Sequence, residues 1–207
     1  MLTLAIDTST NLLSVALLNK DDILASIQEQ TNHNQSELLM PTIQKLFIES
    51  NKIIGQLEKI AVAIGPGSYT GLRVGVTIAK TLGYTLNIPV VQVSSLDVMA
   101  EISPTGVAMI NARRNTVFAK SSTQKEGHYD LDTFLAQLTP SCMTSQYVDA
   151  TLANANESFV SEMDIPINKA VVLARIAEKK PAIHDIHALV PNYLRQTEAE
   201  RNAALNG

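Results

Sequence analysis

The sequence predicts an α/β fold, a mixed β-sheet with helices followed by a smaller second lobe, on three observations. Apolar runs of strand length alternate with longer segments of helical periodicity. The chain opens on three consecutive strand-like runs joined by short turns. Pro104 and Gly106 punctuate its middle, where a lobe boundary is expected. The first lobe is assigned residues 1–102 and the reduced second lobe 103–190.

Leu2–Asp7 and Leu12–Leu18 are apolar runs around Thr8-Ser9-Thr10-Asn11, the pattern of a hairpin whose first strand is buried on both faces. Ile23–Glu29 makes a third strand. Such a meander, with Asp and then Thr/Ser at its first turn, is found in the actin-like ATPase fold, where the turn approaches nucleotide phosphates and the Asp serves the metal. An Asp7-Thr8-Ser9 turn is more often simply a hydrogen-bonded Asx-type turn. Helix Glu37–Ser50 carries Leu39, Met40, Ile43, Leu46 and Phe47 on one stripe. Further on, Val90–Val93 reads as a buried strand, Ser94–Asp97 as a helix start, and Val107–Asn111 with Thr116–Ser121 as a strand pair. Helices are expected at Asp132–Leu138 and Ile167–Lys179. Pro191 suits the first position of a last helix, about 191–205.

The most informative stretch is Ile60–Leu86, read as strand, glycine loop and helix. Pro66 ends the strand ladder, and Gly65 and Gly67 permit close backbone approach. Ser68 or Thr70 can cap the helix. On a helical wheel Arg73, Thr77, Lys80, Thr81 and Tyr84 form one narrow polar strip. The remaining arc, apolar or small, spans roughly 200°, about twice what one core requires. Gly71, Gly75 and Ala79 run down its middle, with Gly83 one step further. Each interior glycine costs roughly 1 kcal/mol against alanine, so something packs very close. Either a sheet and a neighbouring helix of the same chain cover both flanks, or one flank meets a second protein.

At 207 residues and 45% hydrophobic content the chain can build a sizeable core. Aromatics are 4% with no Trp, so that core is aliphatic. A net charge of −4 without an arginine-rich stripe disfavours unaided nucleic-acid binding. Cys142 is the only cysteine, which excludes a disulfide framework and a cysteine zinc site, and it reads as a small buried hydrophobe. The N-terminus lacks a signal-peptide pattern and no apolar run reaches membrane-spanning length, so a soluble cytoplasmic protein is expected.

Catalytic constellations are sparse. No H-E-x-x-H pair occurs: His33 has no helical partner, and His184 and His187 lack a third ligand. A G-x-S-x-G elbow and a Walker A loop are absent. Asp7, Thr8, Ser9, Gly65, Gly67, Ser68 and Gly71 resemble half of an ATP site with no catalytic group to complete it, and no catalytic or metal residue is assigned.

The segments LAIDTST, IGPGSYTGLRVGVTIAKTLGYTLNIPVVQVSSLD, INARRNTVF and HALVPNYLRQTEAE, about half the chain, resemble the TsaB family, bacterial glycoprotease-like proteins serving tRNA threonylcarbamoyladenosine synthesis. The resemblance implies an actin-like (ASKHA) fold of two lobes, the first closed by the C-terminal helix. It implies a non-catalytic subunit that pairs with a catalytic TsaD-like protein and a TsaE-like ATPase. That assembly modifies tRNAs reading codons that begin with A. ATP and metal belong to the partner subunits, and tRNA is met only through the complex. The first two long helices of such proteins meet the partner, or a second copy when alone. Interface candidates are therefore Leu72, Gly75, Val76, Ala79 and Gly83, with Met40 and Phe47 at the edge. The chain departs from the family pattern at Asn34-Gln35-Ser36, where Asn-His-Ser is common, and at Asn111, where Asp is usual.

The alternative function is an ATP-dependent phosphotransferase using Asp7 for magnesium and the Gly65–Gly71 loop for phosphate. A peptidase is disfavoured because no nucleophile is accompanied by a base.

Overall fold

The computed structural model describes residues 1–32, 34–139, 146–153, 156 and 158–194. Two five-stranded mixed sheets make its frame. The first holds β1 (Leu2–Asp7), β2 (Leu12–Asn19), β3 (Asp22–Gln30), β4 (Lys59–Ala63) and β5 (Val90–Val93), in the order β3-β2-β1-β4-β5. β1, β2 and β3 form an antiparallel meander, and β4 and β5 add in parallel beside β1.

The alternation of side chains explains the layers on either side. Leu4, Ile6, Leu13, Val15, Leu17, Ile60 and Val62 point to one face, against helices α1 (Gln35–Glu49) and α2 (Tyr69–Leu86). Ala5, Ala16, Ala61 and Ala63 point to the other, where their small size admits α5 (Lys169–Glu178) through Ala170, Leu173, Ala174 and Ala177.

The second sheet repeats this topology. β6 (Ala108–Arg113), β7 (Thr116–Lys120) and β8 (Gly127–Asp130) form a meander, with β9 (Gln146–Val148) and β10 (Phe159–Ser161) parallel beside β6, in the order β10-β9-β6-β7-β8. α3 (Ser95–Ile102) covers one face through Leu96 and Met99 against Ala108, Ile110 and Tyr147. α4 (Leu131–Ala136) covers the other through Phe134. The layers therefore run α1/α2, first sheet, α5/α3, second sheet, α4.

This packing differs from the expected division at residues 102 and 190. α5 lies on the first sheet and α3 on the second, because each sheet needs a helix on its inner face. The segment after α5 also returns to the first lobe: Ile183 N donates to Val90 O at 2.9 Å and Asn192 N to Ile64 O at 2.7 Å. Within the expected helix of about 191–205, residues 191–194 are not helical; the remainder lies outside the described residues, as do His33 and Cys142.

Candidate functional site

A cleft of about 640 Å³ opens between the lobes. Ser9, Thr10, Asn11, Gly67, Ser68, Tyr69 and Thr70 line it from the first lobe; Ile110, Asn111, Arg113, Phe118, Asp149 and Glu162 line it from the second. The turns after β1 and β4 and the start of α2 meet here because both strands are parallel and end on the same edge of the sheet.

The structure brings Asp7, Thr8, Ser9, Gly65, Gly67, Ser68 and Gly71 together, yet binds them to one another. Ser68 N donates to Ser9 O at 2.6 Å, and the Thr8 hydroxyl donates to Gly71 O at 2.7 Å. A Cβ on Gly67 would collide with the Ser9 carbonyl, so the glycine loop lies against the β1–β2 turn. Ser68 caps α2, its Oγ accepting from Gly71 N at 3.2 Å. Asp7 Oδ1 accepts from Ser9 N at 2.9 Å and Ser9 Oγ at 2.6 Å. The Asx-type turn is the observed one.

The other Asp7 oxygen, Oδ2, faces a cation of the chain itself. Lys169 Nζ, wholly buried, sits 3.9 Å from it, 2.8 Å from Glu162 Oε2 and 2.8 Å from Thr10 Oγ1. Burial alone would push the Lys169 ammonium down, but the Asp7 and Glu162 carboxylates more than reverse this and hold it above the ordinary lysine range. Burial pushes the nearby Tyr147 phenol up, and the same two carboxylates add to the effect. A divalent ion on Asp7 would stand beside this ammonium and be repelled by it. These residues do not fit a metal–nucleotide. On the opposite wall Glu162 and Asp149 are buried, Glu162 against Lys169 and Thr10. Asp149 braces its own loop, accepting from Asn111 N, Thr151 N and Leu152 N.

Sequence reasoning missed Lys169, Glu162, Thr10 and Tyr147. The sole signal was a lysine opening an otherwise apolar helical run, KAVVLARIA; Glu162 stands in a polar stretch without periodicity.

Comparison with known proteins fits this frame. The family model for TsaD, tRNA N6-adenosine threonylcarbamoyltransferase, matches residues 22–140. The tRNA threonylcarbamoyladenosine biosynthesis protein TsaB of Bacillus subtilis is 33% identical, the match covering 97% of this chain and 96% of that protein. The chain belongs to the TsaB family. TsaB of Haemophilus influenzae is 33% identical over 63% of this chain and 58% of its own length. YeaZ from Pseudomonas aeruginosa shares the fold at a TM-score of 0.71 and 22% identity, over 93% of this chain and 99% of that one. The fold is accordingly the actin-like, ASKHA-type one, and membership ties the chain to threonylcarbamoyladenosine biosynthesis.

The interface candidates expected on α1 and α2 need correction. Leu72, Gly75, Val76, Ala79 and Gly83 are buried inside this chain and offer no surface. A Cβ on Gly75 would meet the Thr8 hydroxyl; one on Gly83 would meet Val90 and Ile186. The close neighbour implied by the glycine row is the chain's own β1–β2 turn and β5. Phe47, 7% exposed, also belongs to the core, whereas Met40 is 36% exposed. Val74, Ile78 and Leu82 line the half-buried flank of α2, outside the candidate set. Among the described residues no group of His, Cys, Asp or Glu could hold a metal ion, and no helix is long and apolar enough to cross a membrane.

Proposed function

We propose that this chain is a non-catalytic scaffold that pairs with a TsaD-like catalytic subunit, joined by a TsaE-like ATPase, to modify tRNAs reading codons that begin with A. The observation that carries this reading is the state of the cleft floor. Asp7 is held by Ser9 and faces Lys169, Thr8 is bonded to Gly71, and Ser68 is bonded to the β1–β2 turn. The groups a phosphotransferase would turn toward magnesium and phosphate are engaged within the chain. ATP and metal are therefore assigned to the partners, and tRNA is met through the complex.

The partner-facing surface is the outer side of α1 and α2, around Met40, Val74, Ile78 and Leu82. A second copy of the chain would use the same surface in the partner's absence. The TsaD-family match over more than half the chain supports a paired fold of like architecture.

The test is co-purification with the TsaD-like protein of the same genome, followed by tRNA threonylcarbamoylation with and without this chain. Stable pairing and modification that requires the chain are expected, with no turnover by the chain alone. Micromolar binding of magnesium–ATP by the isolated chain, abolished in Asp7→Ala, would overturn the reading in favour of the phosphotransferase.

A further inference from the structure

We propose that Lys169 is an interlobe clamp that holds the cleft at one fixed opening. Its backbone belongs to the first lobe: it starts α5 on the first sheet, and its N–H donates to Gln28 Oε1 of β3 at 2.9 Å. Its ammonium reaches Glu162, which directly follows β10 of the second sheet and is anchored there by Glu162 N donating to Val148 O at 2.8 Å. Thr10, in the turn after β1, closes the triangle by donating to Glu162 Oε2 at 2.9 Å. Asp7 adds a second carboxylate from the first lobe. All four side chains are buried. Salt does not screen such contacts as it screens a surface pair. Pulling the lobes apart would strip Glu162 of its cation and leave Lys169 only the more distant Asp7 carboxylate, 3.9 Å away.

Two further ties join the lobes. Asp97 of α3 binds Lys120 of β7 and, at 2.8 Å, Lys180 just after α5. Glu126, in the turn before β8, accepts from Ser94 at the head of α3 and from Asn192 at 3.2 Å. These are partly exposed, so each is weaker than the Lys169 contact. A cleft that closes on a ligand relies on hinge contacts with two arrangements of similar energy. Here any wider arrangement would break the Lys169–Glu162 pair on the cleft floor. The clamp does not depend on the identity of any partner.

The test uses the full chain with Cys142→Ser and spin labels at Asp21→Cys in the first lobe and Ala136→Cys in the second, both exposed. Pulsed electron resonance should give one narrow interlobe distance. Lys169→Ala should broaden or split it and lower the thermal midpoint by about 10 °C, the range for a broken buried pair. Millimolar propylammonium, which replaces the lost cation, should restore both, and should do nothing to the parent chain. Should Lys169→Ala fail to fold, Glu162→Gln serves instead: it keeps the size and removes the charge, and should also broaden the distance. A distance that stays narrow in whichever variant folds, or one already broad in the parent chain, would overturn the clamp.

Discussion

The Thr8 hydroxyl lies against the α-carbon of Gly75, so close that no side chain fits between the β1–β2 turn and α2. This contact decides what the glycine row does. Gly75→Ala is expected to destabilise the chain by about 1–3 kcal/mol, the usual cost of overpacking, despite alanine's better helix propensity. Gly75→Leu should prevent folding of the isolated chain. Urea denaturation checks both, and a Gly75→Leu protein of parental stability would mean the helix sits elsewhere.

The outer side of α1 and α2 should behave oppositely. Met40→Glu with Thr77→Glu places charge on exposed positions and should leave the thermal midpoint within about 2 °C, since surface changes are usually within ±0.5 kcal/mol. Affinity for a TsaD-like partner, read by calorimetry, should fall at least about tenfold.

Ser68 joins two functions of one loop: it caps α2 and bonds the β1–β2 turn. Only the cap uses its side chain. Ser68→Ala is expected to cost about 1 kcal/mol and Ser68→Asp little, because aspartate is also a good cap. Equilibrium unfolding of the two variants separates the cap from the backbone contact.

Asp97 predicts an acid limb. Burial alone would raise its carboxyl, but the bonds to Lys120 and Lys180 more than offset this and hold it below the ordinary range. The unfolded chain therefore binds this proton more readily than the folded one. The stabilisation is present above the unfolded value of about 4 and is lost as pH falls through the lower folded value. Stability followed by urea midpoint should decline in that window, and Asp97→Asn should flatten the decline.

The first lobe was legible because its strands alternate large and small residues in register. Leu4 and Ile6 against Ala5, or Ile60 and Val62 against Ala61, announce two buried faces before any packing is known. The cap at Ser68 and the turn at Asp7 followed from local chemistry. β8, β9 and β10 were not legible: they are three or four residues long and carry residues such as Gly127, His128, Gln146 and Ser161. Such segments become strands through their neighbours. The wheel of α2 gave the width of the apolar arc correctly but not the owner of the atoms covering it; Thr8 lies 67 positions before Gly75 and Val90 lies beyond the helix. Lys169 escaped because a lysine at a helix start is ordinarily solvated, and only the two-sheet arrangement encloses it.

The alanine-lined side of the first sheet has a consequence for synthesis. Its cover, α5, is encoded about a hundred residues downstream of Ala61, after the whole second sheet. A chain still emerging from the ribosome would hold five finished strands with one greasy side bare until that segment appears. The first half therefore closes last, after α3 and α4 have already covered the second sheet.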